Sequence, residues 1–282
     1  MTVDARDGNR THLRVSGGRV GTITSVVSPA TRRTALLRDR LLVHPRAAQR
    51  VLELLAVPDG AHAELCALVE LDPALTAAVL RAANSAHLGF SRRIAGIRHA
   101  TVLLGGSLVA SLAASRVADL VFDTAVPDYP DWLWQHSVVV ASSCAVLAPY
   151  VGESTDDAFT TGMLHDVGTL VSASNGESAD HVDASPEHAE IGADLLQRWN
   201  LPDAVVDGVR HHHARPDALV GGLERLVAAS SAFAEELGAG GPERGVSMHD
   251  AVRLVRAPRR PDELLAAIED EVTRRTAVVR GR

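Results

Sequence analysis

The segment Gly162-Met163-Leu164-His165-Asp166-Val167-Gly168 sets an imidazole beside a carboxylate at the end of an apolar run. Both side chains offer lone pairs and one adds negative charge, so the pair can share a divalent ion. Further histidines flank it at separations that suit a helical cage: His136 upstream, then His188, His212 and His213 downstream. Ser185-Pro186 reads as an N-cap and first-turn pair, which puts His188 in the first turn of a helix. The positive end of a helix disfavours imidazolium and keeps such a histidine neutral, ready to bind metal. Adjacent helical residues differ by about 100° around the axis, so of His212 and His213 one can point inward while the other reaches a second site. His211 is a further candidate at the same corner. The candidate ligand set is His136, His165, Asp166, His188, His212 and His213, for a divalent ion such as Fe, Mn, Zn or Ni. The alternative is that the same side chains form a hydrogen-bonded core.

These residues must be positioned by helices. The chain has 282 residues and is 46% hydrophobic but only 3% aromatic, so Ala, Leu and Val do the packing. From Thr34 onward apolar residues recur at helical spacing. Pro45 opens a helix through Leu55, a second covers about 61–70, and Asp72-Pro73 caps a third. Asn84-Ser85 ends that third helix and, with the amphipathic helices of Pro45–Ala86, forms a candidate contact surface. Gly105-Gly106 marks a helix junction. Pro127 and Pro130 precede a strong helix from Trp132 through Ala148, with Leu133, His136, Ser137, Val140, Ala141, Cys144 and Leu147 on one face. Ser154-x-x-Asp157 resembles a capping box for the helix that delivers His165 and Asp166. Residues 172–184 read as a loop. Helices at about 219–237, after Ser247-x-x-Asp250 and after Pro261 complete the chain, with a Gly-rich link at 238–245. The expectation is an all-α protein with no strand pattern. It comprises a mobile basic arm (1–33), an N-terminal helical lobe (34–126), a second lobe carrying the histidines (127–237), and the link with the C-terminal helices (238–282).

Charge and cysteine content exclude several classes. The net charge is −7, which argues against broad nucleic-acid binding. All 28 basic residues are Arg. Ten of them lie in residues 1–50 against Asp4, Asp7 and Asp39, so this segment carries +7 and the remainder −14. Two cysteines, Cys66 and Cys144, make no disulfide framework, and a reducing cytoplasm is expected. The longest apolar stretch, Val102–Phe122, contains Arg116 and Asp119 and is no bilayer span.

His136, His165-Asp166, His188 and His212-His213 resemble in spacing the HD superfamily of metal-dependent phosphohydrolases. The closer resemblance is to the HDOD domain, the HD-related output domain of bacterial signalling proteins. It rests on Asp72-Pro73-Ala74-Leu75-Thr76, Leu80 to Ala86, Leu88-Gly89, Leu103-Leu104-Gly105, Trp134-x-His136-Ser137, Gly162 to Gly168, His188 to Ala193 and Trp199-x-Leu201-Pro202, over roughly residues 36–237. The resemblance implies an HD-like helical bundle with an additional N-terminal helical lobe, and a non-enzymatic role in signal transduction through a signalling protein partner or a small nucleotide ligand. The catalytic alternative is a metal-dependent phosphohydrolase or cyclic-dinucleotide phosphodiesterase. Against it, Thr169 stands where HD-GYP enzymes carry Lys, Ala214-Arg215-Pro216-Asp217 replaces their Gly-Tyr-Pro, and Ala228-Ala229-Ser230-Ser231 occupies the region of the late Asp.

Overall fold

The computed structural model describes residues 41–57, 61–89, 92–122, 129–175, 187–242 and 245–280. The expected arm 1–33, Pro127 and the Ser185-Pro186 pair lie outside these residues. Every regular element among the described residues is an α-helix: α1 (Pro45–Leu55), α2 (His62–Val69), α3 (Pro73–Ala83), α4 (Ile97–Leu104), α5 (Gly106–Phe122), α6 (Asp131–Val151), α7 (Thr155–Leu164), α8 (Val167–Ser174), α9 (Glu187–Arg198), α10 (Asp203–Arg210), α11 (Gly222–Glu236), α12 (Met248–Val255) and α13 (Pro261–Arg280). No single helix among them is long and apolar enough to cross a membrane.

Local chemistry sets the boundaries. The side chains of Asp72, Ser154 and Ser247 accept the backbone N–H groups of Leu75, Asp157 and Asp250, which starts α3, α7 and α12. Asp72 also accepts the N–H of His44 at 2.9 Å, so one buried carboxylate ties the entry of α1 to the start of α3. Gly105 has φ +76°, a conformation that costs any other residue energy, and α4 and α5 diverge there by 110°. Residues 172–174, expected in a loop, instead finish α8.

α6 is the central element. The expected apolar stripe is buried, but Val138, Val139, Ser142, Ser143, Ala145 and Ala148 are buried too, so the helix is enclosed on nearly every side. It packs against α7, α11, α12 and α13, while α8, α9 and α10 form a chain of contacts that returns to α11. α1, α2, α3 and α4 gather around α5, and α3 and α4 also reach α7. Small residues make the closest approach: a Cβ on Gly162 would lie 2.8 Å from Cα of Ala141, so α6 and α7 meet backbone to backbone.

Asn84 corrects the sequence reading. It is not part of a contact surface but is buried at 8% exposure, where its amide donates to the carbonyls of Leu80 and Ile94 and accepts the N–H of Ile94 at 2.8 Å. It thereby fastens the segment after α3. Asn84→Ala leaves the Ile94 groups without partners, and its unfolding free energy in urea should fall by about 2–3 kcal/mol; an unchanged midpoint would show that water replaces the amide.

Candidate metal centre

Each ligand candidate is delivered by a different local device. His136 sits in the second turn of α6, and the Gly162–Ala141 contact holds the end of α7 beside it. His165 is the C-cap of α7 and Asp166 the N-cap of α8. An N-cap Asp ordinarily accepts the first N–H groups of its helix. Asp166 makes no such bond, and its carboxylate turns to the histidines instead. α8 and α9 cross on glycine: a Cβ on Gly168 would lie 2.0 Å from the carbonyl oxygen of His188 and 2.8 Å from the nitrogen of Gly192. That approach lowers His188, in the first turn of α9, onto Asp166. His212 and His213 lie in the turn that follows α10, not on the helix itself.

The six side chains converge as two groups that share Asp166: His136, His165 and Asp166, and Asp166, His188, His212 and His213. One carboxylate oxygen faces each group. Oδ2 lies 3.0 Å from Nε2 of His165 and 3.5 Å from Nε2 of His136; Oδ1 lies 3.3 Å from Nε2 of His188 and 3.4 Å from Nε2 of His212. The imidazoles also face one another, with Nε2–Nε2 distances of 3.1 Å for His136–His165, 3.2 Å for His188–His212 and 3.1 Å for His188–His213.

Backbone carbonyls assign the tautomers. Nδ1 of His136 meets the oxygen of Ala239 at 2.7 Å, Nδ1 of His165 that of Gly162 at 2.7 Å, and Nδ1 of His212 that of Val209 at 2.6 Å. A carbonyl only accepts, so each Nδ1 carries a proton, and a ring that bears no second proton turns a bare Nε2 lone pair inward. Two bare nitrogens at 3.1 Å repel unless a proton or a cation lies between them. Burial holds the His136 imidazole down at about 4, assisted by His165 and opposed by Asp166, and burial also lowers His212. Burial alone would raise the Asp166 carboxyl, but the surrounding histidines, His165 foremost, outweigh it and hold the group well below the usual range. The rings of His136 and His212 are therefore held neutral beside an anion. Ligands at about 2.1 Å from a divalent ion lie roughly 3.0 Å apart along an octahedral edge and about 3.4 Å along a tetrahedral one. The observed separations fall at these values, so the donor set fits a divalent cation in each group. A bound ion would supply Lewis acidity and a lowered water pKa.

His211 is diverted: its Nδ1 meets Glu224 Oε1 at 3.0 Å, and it takes no part in the cluster. The Gly-rich link is more than a connector. Ala239 orients His136, and Gly241, Pro242 and Gly245 line the space beside the ligands with Trp132, Thr169, Ser231 and Glu235. Sequence reasoning missed these residues as site components. Ser231 stands in the stretch 228–231 read for a late Asp, and Glu235 lies one turn further along α11. The free space beside the six ligands is about 30 Å³.

The HDOD domain model matches residues 41–183 and the HD domain model residues 133–270. An uncharacterized protein of Treponema pallidum is 28% identical over 220 residues, covering 68% of this chain and 42% of that one. Ribonuclease Y of Desulfotalea psychrophila is 36% identical over 100 residues, covering 35% of this chain and 17% of that enzyme. The chain thus spans less than half the length of either relative. The fold is similar to that of the MmoQ response regulator from Methylococcus capsulatus, with a TM-score of 0.60 and 24% identity over 78% of this chain and 99% of that one. A virulence factor of Campylobacter jejuni gives a TM-score of 0.57 and 17% identity over 86% of this chain and 96% of that one. With a family match over half its length, on the segment that carries His136, His165 and Asp166, the chain belongs to the HDOD family.

Proposed function

We propose that the chain is a non-catalytic signalling module in which His136, His165, Asp166, His188, His212 and His213 hold divalent metal, and that it acts by binding a protein or ligand. The observation that carries this reading is the size of the space at the centre. About 30 Å³ accommodates ions or a water. An organic phosphoester needs a pocket of roughly 300 Å³ or more. Trp132, Gly241 and Pro242 line this space, and the Nδ1–H of His136 is bound to the carbonyl of Ala239. The metal then braces α6, α7–α8, α9 and the turn after α10 by joining one or two ligands from each.

The two-group ligand set and the ribonuclease Y similarity over 100 residues favour a second reading, a metal-dependent phosphohydrolase. Assay of the protein, supplied with Mn or Fe, against bis(p-nitrophenyl) phosphate and cyclic di-GMP separates the two. The expected result is no turnover above background. Metal-dependent turnover that Asp166→Ala abolishes would replace the regulatory reading with the enzymatic one.

A further inference from the structure

Among the backbone carbonyls that fix the ring nitrogens of the histidine cluster, one differs from the others. Gly162 and Val209 each lie three residues before the histidine they serve, so their carbonyls cannot leave those rings. Ala239 lies 103 residues from His136, in the link that follows α11. Its N–H is anchored: it donates to the carbonyl of Ala234 at 2.8 Å, beside the left-handed Gly238 (φ +70°) that follows the helix. Its carbonyl accepts from Nδ1 of His136 at 2.7 Å. Gly240 and Gly241 come next, and glycine backbone resists rotation least of all. A Cβ on Gly241 would lie 3.5 Å from Nε2 of His136 and 3.4 Å from the Trp132 ring, so the segment runs over the ligand ring. Gly240 and Pro242 face solvent.

The shared imidazole ties this segment to the metal. Once Nε2 of His136 is given to an ion, Nδ1 is the only nitrogen left for the proton, and the Nδ1–H bonds Ala239. With the group empty, the neutral ring can carry its proton on Nε2 instead. That Nε2–H then donates to Nε2 of His165, 3.1 Å away, and relieves the repulsion between two bare nitrogens. The bare Nδ1 left behind repels the Ala239 carbonyl. His136 is the ring that can make this change, because its carbonyl partner can swing away on Gly240-Gly241 while that of His165 cannot. We infer that the 239–242 segment is a metal-controlled switch, docked on His136 when the His136–His165–Asp166 group holds an ion and released when it does not. The inference rests on the metal-centre reading and adds its readout: an exposed segment between α11 and α12 that a binding partner meets in two forms.

The test uses isotope-labelled protein loaded with Zn, which is diamagnetic, and elemental analysis of every sample. In the loaded protein the heteronuclear NOEs of the Gly240 and Gly241 amides should match those of α11. After EDTA they should fall sharply, while that of Gly238, whose N–H is held by the Glu235 carbonyl, should stay. Linkage demands the reverse effect as well: loosening the segment must weaken the ion. Gly238→Val strains a left-handed residue without a clash, since a Cβ there meets nothing within 4 Å. It should weaken Zn in one group by roughly tenfold or more and leave the other group unchanged. Gly152→Val imposes the same strain at the C-cap of α6 (φ +76°, again nothing within 4 Å) and should leave both groups at parental affinity. Unchanged NOEs in a sample shown to have lost its Zn overturn the inference and leave the metal centre standing; a proton then bridges the two rings in the ion's place. Equal Zn affinity in Gly238→Val and parent, or equal weakening in both variants, overturns it as well. Absence of Zn from the loaded sample overturns the metal-centre reading and the inference with it.

Discussion

Asp166→Ala is expected to empty both histidine groups at once, because each faces one oxygen of the same carboxylate. Elemental analysis of the purified variant should find metal reduced to background where the parent is loaded. The stability consequence follows from linkage. An ion present at about 100 times its dissociation constant stabilises the folded state by about 2.7 kcal/mol. In a domain of this size each kcal/mol moves the midpoint by roughly 2–4 °C, so chelator should lower the parent's Tm by roughly 5–10 °C and leave that of Asp166→Ala unchanged. His165→Ala combined with Asp166→Ala should cost little more than either alone, since both remove the same centre. Equal metal content in parent and variant would remove the centre from consideration and leave the histidines as a hydrogen-bonded core.

Gly168→Ala should be the most damaging single methyl group in the protein's catalogue of small substitutions near the site. The new Cβ would sit 2.0 Å from the carbonyl oxygen of His188, a backbone atom that cannot rotate away. Relief requires α8 and α9 to separate by about 1 Å or more, and this moves His188 away from Asp166. The expected loss is about 3 kcal/mol in urea unfolding. Metal should be lost selectively from the His188–His212–His213 group, because His136 and His165 do not lie on α9. Retention of full metal content with parental stability would mean that the helix crossing is looser than the glycine contact implies.

The elements that position the site were largely legible in the sequence because their signals are local. Asp72, Ser154 and Ser247 cap the helices they were expected to cap, and the adjacent glycines at 105–106 mark the expected junction. The six ligand candidates were legible by type and spacing, and they converge in the structure. What could not be read depends on contacts distant in sequence. Nothing near Ala239 announces that its carbonyl fixes the tautomer of His136, 103 residues away. Asn84 looks like a polar helix end and becomes a buried clamp only because Ile94 returns to it. His211 is as plausible a ligand as its neighbours until Glu224 claims it. The turn geometry after Arg210, not a helical 100° step, is what brings both His212 and His213 to His188.

The packing of α13 dictates a timetable for the chain's synthesis. Arg275 pairs with Glu70 of the α2 C-cap at 3.4 Å, across 205 residues of sequence, and its guanidinium covers the ring of Phe159 at 3.9 Å. α13 also lies against α1, α2 and α6. Translation at about 5–20 residues per second leaves Glu70 waiting roughly 10–40 s for its partner to be polymerised. Until α13 is made, the faces of α1 and α2 that it covers, and from its own synthesis the ring of Phe159, lack that partner. A chain cut short between α12 and α13 would hold all six ligand candidates yet lack the Arg275 contacts to Glu70 and Phe159.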